Sequence, residues 1–194
     1  MSDQPTLQSL RTEAIEILLT EKKFLKPEDV DAVLTTFSEQ VGPMNGAKLV
    51  ARAWADPEFK QRLLSNATEV VEEYGFEGGQ VDRLVVKECT DRVHHVVVCT
   101  LCSCYPWAVL GLPPSWYKDP GYRSRVVREP RKVLSEMGLN VPDRVDIKVW
   151  DSSAEIRYMV LPRRPPGTEH LDEKTLAEMV TRDTMIGVAN VPAL

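Results

Sequence analysis

No run in the 194-residue chain approaches the roughly 18 consecutive apolar residues that a membrane-spanning helix needs, so none is expected. The opening residues Met1-Ser2-Asp3-Gln4-Pro5 lack the basic stretch and apolar core of a secretory leader, so no signal peptide is expected. Positive charge is not in surplus either. The formal net charge is −5, which removes the electrostatic case for a nucleic-acid partner. Histidine is scarce, with 3 in the chain, and no Ser/His/Asp triad is discernible. Cysteine numbers 4, and three of these fall within six residues, which does not make a secreted disulfide framework. A cytoplasmic protein with no membrane and no nucleic-acid role is expected. No low-complexity tract or internal repeat is visible. A hydrophobic content of 43% is enough for a real core, and the length suits one domain, or one domain with an arm.

The clustered cysteines carry the chemistry. Cys99-Thr100-Leu101-Cys102-Ser103-Cys104 has the spacing C-x-x-C-x-C, with Val96-Val97-Val98 before it and Tyr105-Pro106-Trp107 after it. Closely spaced thiolates suit soft or borderline metals, and a bound metal deprotonates the thiol. A disulfide within the cluster would be cramped and would leave one thiol over. In Cys102-Ser103-Cys104 the peptide nitrogens of Ser103 and Cys104 lie between the two sulfurs. Those four donors could form a plane around one ion through fused chelate rings. Cys99 could supply an axial sulfur, and the sixth position would stay open for substrate. A peptide nitrogen binds only after losing its proton, which demands a strong Lewis acid. Zinc suits that arrangement poorly, and a trivalent iron or cobalt ion suits it better. Structural zinc and iron–sulfur sites are the alternatives, and both normally need a fourth protein ligand. Cys89, His94, His95 and His170 are the candidates, none at a compact finger spacing from the cluster. On spacing alone these alternatives stay open.

Leu7, Leu10, Ala14, Ile17 and Leu18 recur at helical spacing, as do Val30, Val33, Leu34, Phe37 and Val41. Pro27 suits the first turn of the second helix. Ala47, Val50, Ala51 and Trp54 predict a third. Asp56-Pro57 predicts the start of a fourth, running through Phe59, Leu63, Ala67, Val70 and Tyr74 to Gly75. Residues 1–75 thus read as a helical segment, either a compact subdomain or an arm embracing a partner. Residues 76–194 read as an α+β domain. Gly78-Gly79 marks the change, and residues 83–87 and 93–98 read as strands, leaving the cysteines in a loop at a strand end. Cys89 reads as an idle thiol. His94 and His95, on opposite faces of a strand, read as packing or surface residues. Short helices are predicted over 122–128 and 130–137. The basic residues Arg123, Arg125, Arg128, Arg131 and Lys132 read as a solvated face or an inter-subunit surface. Residues 146–150 and 155–160 alternate as strands joined by a hairpin-like turn at Asp151-Ser152-Ser153. A last helix after Asp172 and a final strand at Met185-Ile186-Gly187-Val188 complete the expectation.

The stretch from Val98 to Trp107 resembles the metal-binding signature of the nitrile hydratase alpha subunit. The similarity continues through Leu110-Gly111-Leu112-Pro113-Pro114-Ser115-Trp116-Tyr117-Lys118 and returns at Tyr122-Arg123-Ser124-Arg125, at residues 157–162 and at residues 164–169. Val180-Thr181-Arg182-Asp183 and residues 185–188 close it, and Val41-Gly42-Pro43 and Ala51-Arg52-Ala53-Trp54 also match. The resemblance implies a helical arm followed by a layered α/β/β/α-like domain. It implies a low-spin iron(III) or non-corrin cobalt(III) ion held by Cys99, Cys102, Cys104 and the amides of Ser103 and Cys104. Cys99 is then the unmodified thiolate, Cys102 the sulfinate and Cys104 the sulfenate, a form normally transient without protection. Two arginines of a partner beta subunit supply that protection in the family. Thr100 and Tyr105 match the cobalt type, whereas Ser and Thr mark the iron type. Ala108 departs from a proline common among relatives, with a small effect expected on loop stiffness or pocket shape.

The function implied is hydration of a small-molecule nitrile to its amide by a lyase active only with its beta subunit, as a heterodimer or heterotetramer. The metal acts as a Lewis acid at the open position. Either the Cys104 sulfenate oxygen or a metal-activated water is the nucleophile. Ser103 hydrogen-bonds within the claw, Gln80 matches a family glutamine near the site, and Trp107 shapes an apolar substrate pocket. Asp151 and Arg157 match family positions at the subunit interface close to the site. An accessory metal-loading protein is implied as well. The rivals are the cobalt subunit of a thiocyanate hydrolase and a non-enzymatic zinc or redox-sensing module.

Overall fold

A computed structural model of the chain describes residues 7–35, 44–76, 83–102 and 104–192. Contacts divide it into two compact units, Met1–Gln40 and Val41–Leu194. The first contains α1 (Leu7–Glu21) and α2 (Pro27–Thr35). Pro27 opens α2, and Glu28 and Asp29 place negative charge on its first turn, where the helix dipole favours it. The stripe residues Phe37 and Val41 lie outside the described residues.

The second unit begins with α3 (Met44–Ala55), α4 (Pro57–Ser65) and α5 (Ala67–Glu73). Asp56 caps α4 by accepting from the Glu58 and Phe59 amides. The single helix expected from Asp56 to Gly75 is two. Asn66 leaves the helical region (φ −147°, ψ 70°), closing α4 and opening α5, in keeping with the poor fit of Asn to a helix interior. Helices dominate the first 75 residues, as the periodicity predicts. The compact units divide earlier, at Gln40/Val41, because α4 and α5 pack on the first strand.

Among the described residues four strands follow: β1 (Leu84–Glu88), β2 (Val93–Val98), β3 (Asp146–Asp151) and β4 (Arg157–Leu161). β1 pairs with β4 and β2 with β3, both in parallel, giving two small sheets that meet through β2 and β4. The predicted hairpin between β3 and β4 is therefore absent. The Ser152–Ile156 segment carries the chain from one sheet to the other, and the Ser152 amide extends the β2 ladder by donating to the Val98 carbonyl at 2.7 Å. Parallel pairing needs long crossovers. That between β2 and β3 holds the cysteine loop, α6 (Trp107–Leu110), a 3₁₀ turn at Ser115–Lys118, α7 (Pro120–Val126) and α8 (Pro130–Glu136). Val96, Val97 and Val98 are fully enclosed, as strands covered on both faces require.

After β4 come α9 (Glu173–Met179), capped by Asp172, and α10 (Arg182–Ile186). The final strand expected at Met185–Val188 is not formed: Met185 and Ile186 end α10, Gly187 caps it and Val188 lies in the bend that follows. Thr181 and Thr184 cap that helix reciprocally, and Gly187 ends it in the left-handed region at φ 89°. A Cβ at Gly187 would stand 2.0 Å from the His95 carbonyl oxygen, so glycine lets α10 close onto β2. The second unit is α+β, as expected, with helices packed on two parallel sheets. No helix of the described residues is long and apolar enough to cross a membrane.

Candidate metal centre

The cysteine loop leaves the carboxyl ends of β2 and β3, where Val98 and Asp151 are register partners. Cys99, the first residue beyond β2, is fully buried. The Asp151 carboxylate clamps the next residue, accepting from the Thr100 amide at 2.9 Å and the Thr100 hydroxyl at 2.5 Å. The loop then turns back, and the Cys102 amide donates to the Cys99 sulfur at 3.3 Å. Arg123 Nη1 donates to the Cys102 carbonyl at 2.9 Å, and the buried Tyr117 hydroxyl donates to the Cys104 carbonyl at 3.0 Å. Pro106 closes the loop into α6. Leu101, at the tip, is 88% exposed.

These constraints bring three sulfurs together. Cys99 and Cys102 Sγ lie 3.5 Å apart, Cys102 and Cys104 Sγ 3.2 Å apart, and all three lie within 4.8 Å of one another. All are free thiols. Sulfurs each about 2.3 Å from one ion stand about 3.3 Å apart at a right angle and about 3.8 Å apart at the tetrahedral angle. The Cys102–Cys104 separation is that of a right angle, and the Cys99–Cys102 separation lies between the two, so the three sulfurs are spaced to share one ion. Burial pushes the Cys104 thiol up to about 12, with the Cys102 and Cys99 sulfurs adding to the shift and the Arg157 guanidinium opposing it. Without an ion Cys104 keeps its proton, and a metal must displace it.

A fourth ligand for zinc or iron–sulfur is not found among the described residues, where the three cysteines are the only group of this kind. Cys89 Sγ sits 3.8 Å from His94 Nδ1, and burial raises its thiol to about 11. His94 Nε2 pairs with the Gly187 carbonyl at 2.8 Å, and His95 Nδ1 accepts from Trp150 Nε1 at 2.9 Å. His170 is exposed. Cys89, His94 and Asn190 line a separate cavity of about 260 Å³ to which no residue of the metal loop contributes.

Arg157 is buried at the start of β4, where it donates to the Ser153 carbonyl close to Cys104. Trp107 is half-buried at the first position of α6 and packs against the core. Ser103 and Gln80 lie outside the described residues. Within the basic stretch, Arg125 is held by Glu129 and Glu136, and Arg131 by the carbonyls of Val141, Pro142 and Val145. The bonds from Arg123 and Tyr117 to the loop carry no signal in sequence spacing, because the crossover that returns them to it is irregular.

A family model for the nitrile hydratase alpha chain matches residues 6–189. The chain is 55% identical over 179 residues to the low-molecular weight cobalt-containing nitrile hydratase subunit alpha of Rhodococcus rhodochrous, covering 92% of this chain and 86% of that one. It is 54% identical over 185 residues to the cobalt-containing nitrile hydratase subunit alpha of Pseudonocardia thermophila, covering 95% and 91%. Thiocyanate hydrolase subunit gamma of Thiobacillus thioparus is 43% identical over 187 residues, covering 91% and 76%. Among solved structures, a variant of the Fe-type nitrile hydratase from Comamonas testosteroni Ni1 with two histidines replaced by tryptophan superposes with a TM-score of 0.89 at 41% identity, covering 100% of this chain and 96% of that one.

Proposed function

The chain belongs to the nitrile hydratase alpha-chain family, and we propose that it is the metal-bearing subunit of a cobalt-type nitrile hydratase, adding one water across a nitrile to give the amide. The convergence of Cys99, Cys102 and Cys104 sulfurs at the ends of two parallel strands carries this reading. Cys99, Cys102, Cys104 and the amides of Ser103 and Cys104 hold the ion, with Cys102 as sulfinate and Cys104 as sulfenate. Bound there, cobalt(III) supplies Lewis acidity toward the nitrile. Asp151 fixes the first turn of the loop through Thr100, and Tyr117 fixes the last through the Cys104 carbonyl. Ser103 hydrogen-bonds within the claw, Gln80 hydrogen-bonds nearby, and Trp107 bounds an apolar substrate pocket. His95 is unsuited to moving protons, since burial and nearby lysines hold its pKa near 4. Proton transfer therefore falls to the beta subunit, which also covers exposed Leu101 and meets Asp151 and Arg157. The N-terminal helices embrace that subunit in a heterodimer or heterotetramer. The assembly is cytoplasmic and is loaded by an accessory protein.

Cobalt is favoured over iron by Thr100 and Tyr105 and by the cobalt named in the relatives at 54–55% identity. Thiocyanate hydrolysis is the second reading, carried by the 43% identical gamma subunit. Elemental analysis of the chain purified with its beta subunit tests the first. Near one cobalt per chain, with turnover of aliphatic nitriles exceeding that of thiocyanate, is the expected result. Iron in its place keeps the enzyme and overturns the metal type, and stoichiometric zinc alone overturns the enzyme. Cys104→Ser is expected to abolish hydration, and full activity in that variant would remove Cys104 from its role.

A further inference from the structure

Arg123 meets the metal loop at a peptide oxygen, not at a sulfur. Its position is built by α7. Asp119 caps that helix by accepting from the Tyr122 amide at 3.0 Å, and the Tyr122 hydroxyl donates to the Val97 carbonyl at 2.8 Å. Val97 stands two residues before Cys99, so α7 is fixed to the strand that feeds the loop. The next residue along α7, Arg123, then reaches the loop beyond its turn. Arg123 Nε is buried without a hydrogen-bond partner among the described residues, so the contact is made at the cost of partly desolvating a charge.

The Cys102 carbonyl belongs to the same peptide group as the Ser103 nitrogen. When that nitrogen binds a metal, its N–H bond breaks and the proton leaves to solvent. The negative charge left behind is shared between the nitrogen and the carbonyl oxygen. We propose that Arg123 is a positioning residue that stabilises this charge and thereby makes the Ser103 nitrogen a ligand. The inference rests on the metal-loop reading and deepens it by naming the group in this chain that favours amide ligation. The charge of the whole site points the same way. The Cys99 thiolate, the Cys102 sulfinate, the Cys104 sulfenate and two deprotonated peptide nitrogens would carry five negative charges against the three positive charges of a trivalent ion. Within the chain, Arg157 faces Cys104 and Arg123 binds the Cys102 oxygen.

The test uses the chain co-expressed with its beta subunit as wild type, Arg123→Lys and Arg123→Met. Cobalt per chain is measured against cobalt supplied, together with the sulfur-to-metal charge-transfer absorption. Groups that orient a metal ligand are worth roughly 10- to 100-fold in metal affinity. Half-loading of R123M is expected to need about tenfold more cobalt than wild type, with R123K intermediate. Loading and absorption of R123M equal to wild type overturn the proposal. Should R123M fail to fold, R123K carries the test. Its band shifts if the cation acts on that peptide, and an unmoved band with wild-type loading overturns it. A wild-type protein that takes up neither cobalt nor iron overturns the metal-loop reading instead, whereas failure of the Arg123 inference alone leaves the wild type loaded.

Discussion

The helices at the two ends of the first 55 residues both carry apolar residues at helical spacing and treat them in opposite ways. On α1, Leu10, Ile17 and Leu18 are each about half exposed (47%, 52% and 52%), whereas Leu49 and Val50 on α3 are completely enclosed. Helical period explains both stripes. Enclosure comes from what each helix packs against, and α3 has α4, α6 and α9 beside it. Apolar residues left in water on α1 are what the proposed arm would bury against the beta subunit. The molecule thus divides its tasks. The second unit shapes the metal loop by burial, and the first offers apolar surface.

Removing a sulfur tests that division most strongly. Cys99→Ala takes away the proposed ligand that is completely enclosed, so cobalt content and hydration are expected to fall to background. Co-purification with the beta subunit is expected to persist through the N-terminal helices. Loss of both together would show that the metal, and not the arm, holds the assembly. Gly187→Ala follows, because its Cβ would strike the His95 carbonyl at a left-handed φ. A loss of about 3 kcal/mol or more is expected by denaturant titration. Leu49→Ala should cost about 2–5 kcal/mol, the range for enclosed leucines.

Much of this was readable from residues alone. The cysteine spacing pointed to one metal loop at a strand end, and the three sulfurs do converge there. Period-two runs located all four strands. Their pairing was hidden, because Asp151-Ser152-Ser153 reads as a turn whether the chain folds back or crosses to another sheet. The last segment misled because Met185-Ile186-Gly187-Val188 is apolar throughout. Its helical state depends on a Thr181–Thr184 cap and on Gly187 closing against β2, a tertiary contact. Asp151 was legible through the family resemblance, whereas its clamp on Thr100 emerged only once β2 and β3 were paired in register.

A smaller effect separates the units by acid. Burial, with help from Lys148 and other nearby positive charge, lowers His95 from 6.5 to about 4, so the fold favours the neutral imidazole that accepts the Trp150 N–H. That contribution is fully present above pH 6.5 and is lost as the pH falls from there toward 4. The thermal stability of the second unit should therefore fall as the pH drops across that window. His95→Gln, which keeps an acceptor and cannot titrate, should flatten the slope. An unchanged slope would assign the acid sensitivity to other groups.

The smallest effect on the isolated chain should come from Leu18→Ala. Leu18 is half exposed on α1, and substitutions at such positions usually stay within about 0.5 kcal/mol. Its unfolding midpoint should match wild type, in contrast to Leu49→Ala. The same substitution, combined with Leu10→Ala, removes apolar surface that the proposed arm would bury against the beta subunit. Association of the two subunits should weaken measurably while cobalt bound per assembled pair stays constant. Equal affinity in the double variant would mean that the exposed stripe serves no partner, and the contrast between α1 and α3 would then need another cause.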